Sequence, residues 1–309
     1  MMQFSAALDY LSGLESMTQW PLMQEVAKAF FNTTPRNCYL SVATCRAVGG
    51  SEQDAIPATA AIGCLQIAIV IIDDMLDGEP VGIHKEIGEA AAANLAASFQ
   101  AAGLAAILCS PASPEIKAAL LENLNRMMSA TTLGQYWDTQ NPDTESGYWA
   151  VVRAKSAPFF GSAFLCGALL GRADKDTAAA LKRLGEIYGI LIQLHDDAND
   201  ALAVPADTDW LSGRHSLPLL YALHTGHPDQ ERFATLRYQV EDEAALAEAQ
   251  GILVRSGAIS YVIYQLLEYH QEASRILRSL PLAPGNEVEL LFRNVMQPVD
   301  ALLARVEEV

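Results

Sequence analysis

Aspartates at 73, 74 and 77 stand in the stretch QIAIVIIDDMLDGEP (66–80), and aspartates at 196, 197 and 200 stand in LHDDANDAL (194–202). Both sets have the spacing i, i+1, i+4, and both follow an apolar run. On a helix, i and i+4 share a face and i+1 lies beside it, so each set forms a small carboxylate patch. Each patch falls toward the C-terminal end of an apolar helix, where the negative end of the dipole disfavours anions. That placement becomes favourable when cations sit there. Hard divalent ions, Mg²⁺ above all, prefer carboxylate oxygens and bridge to phosphates. Two facing patches would hold a metal cluster, and the cluster would hold a diphosphate. One acidic helix end alone is weak, since most are simply solvated; the repeated spacing is what gives the reading weight. A di-iron carboxylate bundle would need Glu-x-x-His on two helices, and EYH at 268–270 has the wrong spacing.

The elements that must carry these aspartates are helical. Apolar residues recur at helical spacing, or good helix formers dominate, over 4–31, 38–49, 54–77, 85–109, 114–139, 145–171, 174–204, 213–225, 229–254, 258–279 and 285–308. Turn-like breaks such as Gly49-Gly50-Ser51, Asn141-Pro142-Asp143 and Gly226-His227-Pro228 separate them. The β-branched run 67–72 would suit a strand alone, but Ala58 to Gln66 runs into it without a break, so it is expected to be helix. No linker divides the chain, which predicts one all-α domain over 1–309 with roughly ten or more helices.

Composition sets outer limits. Hydrophobic residues make up 51% and charged ones 18%, as in a protein with a large core. A net charge of −17 argues against nucleic acid and against docking on anionic membranes. The cysteines at 38, 45, 64, 109 and 166 form no CxxC pair and read as reduced, mostly buried thiols of a cytoplasmic protein. No signal peptide and no transmembrane helix is expected.

Further segments carry a resemblance. GQYWD (134–138), Lys155-Ser156, Gln193 ahead of the second aspartates, DWLSGRHSLPLLYAL (209–223) and GIHKEIGEAAAANLA (82–96) occur in that relation to the two acidic motifs. Together they resemble the trans-prenyltransferases, the polyprenyl diphosphate synthases of the class I isoprenoid synthase fold, over most of the chain. The resemblance implies a helical bundle around a central apolar cavity, with the pocket between the helices that carry Asp73 and Asp196. It implies that Asp73, Asp74, Asp77, Asp196, Asp197 and Asp200 bind Mg²⁺, three ions in that family. Lys155 and Arg214 would hold the allylic diphosphate as it leaves, with Gln193 and Gln135 beside them. Leu65, Ala68, Ile69 and Ile62 would line the deep end, and Phe159 and Phe160 would border it. A small Ala68 suggests a farnesyl or longer tail. Plain helix packing would explain these apolar residues equally well. A homodimer is expected on the same resemblance.

The departures concern the second substrate. In elongating members, isopentenyl diphosphate is held by a basic segment before the first acidic helix, a His on it, and an Arg pair after the motif. Here Thr34 and Asn37 stand at basic positions, with Arg36 one residue off. Gln66 stands at the His position, and Asp77 is followed by GEPVGIH, with Glu79 and no arginine. Each lost charge-assisted contact is worth roughly 1.5–3 kcal/mol. The expectation is therefore an enzyme that ionises an allylic diphosphate without ordinary elongation, foremost a terpene synthase or cyclase. Transfer to another acceptor, such as a peptide tryptophan, divergent elongation, and a non-catalytic partner subunit are the alternatives. His195 is either a neighbour of the metal site or a hydrogen-bonded helix residue. Tyr136 and Trp137 would shield a cation or simply pack.

Overall fold

The computed structural model describes residues 2–33 and 36–308, with side chains described over 4–33 and 36–297. Among these residues there is no strand. The helices are α1 (Met2–Ser12), α2 (Glu15–Thr18), α3 (Pro21–Asn32), α4 (Arg36–Ala47), α5 (Glu52–Leu76), α6 (Ile83–Ile87), α7 (Glu89–Leu108), α8 (Pro114–Asp138), α9 (Glu145–Lys155), α10 (Ala157–Leu170), α11 (Lys175–Ala201), α12 (Thr208–Leu211), α13 (Leu217–His224), α14 (Gln230–Leu236), α15 (Glu243–Arg255), α16 (Ala258–Ser279) and α17 (Glu287–Glu308). Thr34, expected at a lost basic position, lies outside the described residues.

The expected all-α class is observed, and the run Ile67–Ile72 is helical within α5. Several expected segments are subdivided. The 4–31 segment is three helices, parted at Gly13 and ahead of Pro21. Gly88, at φ +84°, separates α6 from α7 in a backbone region that side chains disfavour. The 145–171 segment breaks at Ser156, shortly before Pro158, which has no N–H to continue a helix. The 229–254 segment is interrupted between Leu236 and Glu243, and 213–225 shrinks to Leu217–His224.

The chain forms two compact units. The first comprises Met1–Thr132, Pro158–Gly185 and Leu280–Glu289. Its central element is α5, which packs chiefly against α7 and then against α4 and α1. Ser51 caps α5: its hydroxyl accepts from Asp54 N at 3.2 Å while Asp54 Oδ2 accepts from Ser51 N at 2.9 Å. Every residue from Pro57 to Leu65 is buried, as suits a helix apolar on all sides. Gly103 of α7 lets the two helices close up, since a Cβ there would meet Ala61 O and Leu65 Cγ at 3.1 Å. Length and composition alone would let α5 and α7 cross a bilayer; the apolar window of α5 is 72% buried inside the protein, as in a core helix. Cys38, Cys45, Cys64 and Cys166 are buried and Cys109 is exposed, all with free thiols.

The second unit comprises Leu133–Ala157, Glu186–Ser279 and Leu290–Val309. Here α13 is central, packing against α16, α14, α15 and α9. Trp210 and Phe233 meet at 6.5 Å between centroids, and Tyr188 meets Phe292 edge-on at 5.8 Å.

Candidate active site

In the second unit, α8 and α9 touch at a glycine. A Cβ on Gly134 would collide with the backbone nitrogen of Lys155, so only glycine permits this approach. Asp138, one turn beyond Gly134, thereby reaches Lys155: Lys155 Nζ donates to Asp138 Oδ2 at 2.6 Å. Arg214, from the turn before α13, donates through Nη1 to the same oxygen at 3.3 Å. Its Nε lies 3.5 Å from Asp209 Oδ1. Two cations thus converge on one carboxylate oxygen, partly exposed to solvent. They border a cleft of about 120 Å³ lined also by Gln193, Asp200 and Asp209, with Tyr148 and Trp210 on its apolar side. That volume is below the roughly 300–1,000 Å³ that encloses a whole drug-sized ligand, and suits a charged head group.

On α11, Gln193, Asp197 and Asp200 recur at helical spacing and all border this cleft. Ser156 Oγ donates to Gln193 Oε1 at 3.0 Å, and Gln193 Nε2 donates to Asp197 Oδ1 at 2.9 Å. The other oxygen, Asp197 Oδ2, accepts from Leu217 N at 3.0 Å, at the start of α13. Asp197, only 5% exposed, therefore has both oxygens engaged in fixing Gln193 and α13. Asp196 is exposed as a residue, but partial desolvation of its carboxyl, and then the charge of Asp197, raises it to about 6. Burial and the charges of Asp207, Asp196, Asp197 and Asp209 push Asp200 up to about 7. Gln135 is buried with neither amide atom hydrogen-bonded, and His195 is buried with Nε2 unpartnered.

In the first unit, Asp73 and Asp74 lie in the last turn of α5 and Asp77 caps it. Burial raises the Asp74 carboxyl; His84 eases this while Asp73, Glu79 and Asp77 add to it. His84 is 2% exposed. Its Nε2 lies 3.2 Å from Glu79 O, and its Nδ1 is buried without a hydrogen bond. Gly82, at φ +137°, lets Asp74 and His84 crowd against the backbone: a Cβ would stand 2.9 Å from Asp74 Oδ2 and 3.0 Å from His84 Nδ1. The two aspartate sets belong to different units.

Among the described residues, no three His, Cys, Asp or Glu side chains are preassembled as a metal cage. Mg²⁺ asks for less, since it keeps several waters and takes one or two carboxylates plus substrate phosphates. Carboxylates held above their ordinary range by burial and mutual repulsion are the donor set that a hard cation relieves. The residues present therefore fit Mg²⁺.

A family model for the polyprenyl synthetases matches residues 35–253. The chain belongs to the polyprenyl synthetase family. With that family, it is a prenyl-transferring enzyme. The chain is 27% identical over 264 residues to a short chain isoprenyl diphosphate synthase of Methanothermobacter thermautotrophicus, covering 80% of this chain and 81% of the relative. It is 28% identical over 250 residues to a nonaprenyl diphosphate synthase of Mycobacterium tuberculosis, covering 76% and 74%. In fold it resembles the geranylgeranyl pyrophosphate synthetase of Pyrococcus horikoshii, with a TM-score of 0.85, 21% identity and 95% of each chain covered.

Of the residues singled out from sequence, Lys155, Arg214, Gln193, Asp197 and Asp200 line one cleft, while Asp196 is not among its lining residues. Leu65, Ala68 and Ile62 are buried in the first unit, with Leu65 against Gly103, and Ile69 is half-buried there. Phe159 is buried edge-on to Phe160. Tyr136 and Trp137 are exposed. Gln66 has its side-chain oxygen buried without a hydrogen bond, Asn37 is half-buried in α4, and Arg36 is exposed. Asp138, Asp209, Tyr148 and His84 went unrecognised as functional candidates. Asp138 closes GQYWD, and Asp209 opens the stretch that holds Arg214, so both lay inside motifs already singled out.

Proposed function

We propose that this protein ionises an allylic prenyl diphosphate and releases pyrophosphate with Mg²⁺, and that it does so without isopentenyl diphosphate as acceptor. The observation that carries the first half is the convergence of Lys155 and Arg214 on Asp138 Oδ2, at 2.6 and 3.3 Å. Two cations that meet at one oxygen of a side-chain carboxylate are spaced to meet again on an oxygen of a departing diphosphate. Gln135, next in sequence to Gly134, is buried with its amide unpaired and is not among the residues that line the cleft. Bound Mg²⁺ would neutralise charge growing on the leaving group, held by Asp73, Asp77, Asp196 and their neighbours. Lys155 and Arg214 orient the diphosphate, Gln193 steadies the ends of α9 and α13, and Tyr148 and Trp210 limit water.

The second half rests on the residues that are missing: Gln66 and Asn37 at donor and cationic positions, and no arginine between Asp77 and Lys85. A cation without that acceptor attacks its own distal double bonds, so a terpene synthase or cyclase acting on a farnesyl or longer substrate is the specific reading. Small, buried Ala68 supports the longer tail. The chain would act as one catalytic domain, in a cytoplasmic homodimer. A second reading is favoured by the names of the relatives, which are diphosphate synthases: divergent elongation with isopentenyl diphosphate. Pyrophosphate release from geranyl, farnesyl and geranylgeranyl diphosphates, with and without isopentenyl diphosphate, separates the two. A hydrocarbon or alcohol formed without acceptor supports the cyclase. Longer diphosphates formed only with acceptor overturn it.

A further inference from the structure

Arg214 lies in a tight turn between α12 and α13, beside Gly213 at φ +77°. A single side-chain amide grips both flanks of that arginine. Asn141 Nδ2 donates to Gly213 O at 3.0 Å, and His215 N donates to Asn141 Oδ1 at 2.9 Å. Asn141 itself is at φ +47°, a region that asparagine tolerates better than most residues. The amide therefore holds the carbonyl before Arg214 and the N–H after it.

The His215 ring supplies a second brace. Its Nδ1 lies 3.2 Å from Asn141 O, and its Nε2 lies 3.0 Å from both Nη1 and Nη2 of Arg237. Guanidinium has donors only, so Nε2 must be the acceptor. The ring proton is then on Nδ1, donated to Asn141 O. Arg237 is only 7% exposed; its Nη2 also donates to Gly213 O at 3.3 Å, and its guanidinium lies over the Tyr238 ring at 4.7 Å. A buried cation is thus held by an imidazole and a carbonyl. Its charge is not cancelled by a carboxylate among the described residues.

We propose that Asn141, His215 and Arg237 form a clamp that positions Arg214 for the diphosphate, and that neutral His215 makes this clamp open in acid. The proposal rests on the reading of Arg214 as a diphosphate-holding group. A protonated His215 has no lone pair for Arg237, and two cations would face each other. The groups acting on His215 are the Asn141 carbonyl and Asp143, which favour its protonation, and Arg237 and His224, which oppose it. Burial is the largest influence, and the net effect lowers the imidazole from its ordinary value. The sign follows: the brace is intact above the ordinary histidine range and is lost as pH falls through the lowered value.

The test uses the full-length protein with Mg²⁺ and inorganic pyrophosphate, followed by calorimetry per folded molecule across pH 5 to 8. Asn141→Ala is expected to weaken pyrophosphate binding about tenfold at neutral pH, as misplacement of a holding group does. His215→Gln keeps an acceptor for Arg237 and a donor for Asn141 but does not titrate. It is expected to bind like the parent at neutral pH and to lose less affinity on acidification. Arg214→Ala separates the clamp from the diphosphate site it serves. Weak binding in Arg214→Ala with unchanged binding in Asn141→Ala overturns the clamp and leaves the site. Unchanged binding in Arg214→Ala overturns the site reading and the clamp with it. Should Asn141→Ala fail to fold, His215→Gln decides: an acid loss equal to the parent's overturns the proposal.

Discussion

The two aspartate sets share a spacing and differ in nearly everything around it. Asp73, Asp74 and Asp77 end α5 at a half-exposed surface, with His84 beneath them and no Lys or Arg until Lys85. Asp196, Asp197 and Asp200 lie on α11, where Asp197 is buried and the cleft brings Lys155 and Arg214 to the same side. The middle members make the contrast sharpest. Asp74 packs closely against Gly82, which has no side chain, while both oxygens of Asp197 accept hydrogen bonds from the protein. Spacing places a carboxylate on a helix face; burial and partners decide whether it meets a ligand or holds the fold.

The largest effects should come from Asp73 and Asp196, the members that the proposed function assigns to Mg²⁺. Asp73→Ala and Asp196→Ala are each expected to slow pyrophosphate release on the order of a thousandfold or more, because growing charge on the leaving group is no longer neutralised. Turnover unchanged in both variants would sink the metal reading in both units at once.

The middle members should then separate. Asp197→Ala leaves Leu217 N and the Gln193 amide without their acceptor. A loss of about 1–3 kcal/mol per buried group is expected in urea unfolding. Asp74→Ala is expected to shift the midpoint far less and to weaken Mg²⁺ binding instead, read by calorimetry. Equal destabilisation by the two substitutions would erase the distinction. A step smaller, Gly134→Ala forces α8 from the Lys155 backbone. Overpacking of this kind typically costs about 1–3 kcal/mol, and here it should also loosen the Lys155–Asp138 pair. A variant of parental stability and parental pyrophosphate affinity would show that the close approach of α8 and α9 is incidental.

What the sequence disclosed follows the same division. Helical class and the repeated aspartate spacing were legible because periodicity and spacing are local, whereas Lys155, Gln193 and Arg214 were singled out only through the family resemblance. The break at Gly88 was hidden because a glycine inside a helical pattern costs only about 1 kcal/mol and need not end it. Pro158, in the first turn of α10, was a visible signal that the helix before it must stop, outweighed by the apolar run that follows it. The second role of Asp197 and the grip of Asn141 on Gly213 and His215 were not legible. Their partners lie 20 and more residues away and are chosen by packing rather than by pattern.

The smallest effect tests whether the helix carrying Asp73 is set from its far end. Ser51 caps α5 with its hydroxyl on Asp54 N, and Asp54 returns the bond to Ser51 N. Ser51→Ala should destabilise the protein by about 1 kcal/mol, the usual worth of an N-cap. The Ser51 hydroxyl and then its backbone N–H hold the Asp54 carboxyl below its ordinary value. A depressed carboxylate stabilises the fold above its unfolded value and loses that contribution as pH falls through the folded one, so the gap between parent and variant should narrow in acid. Pyrophosphate release at neutral pH should stay at the parental rate, because the buried stretch Pro57–Leu65 separates the cap from Asp73 and is held by its own packing. A slowed release in a fully folded Ser51→Ala protein would mean that the aspartates of α5 are positioned along the helix axis from its N-terminus, rather than by the local contacts around Gly82 and His84.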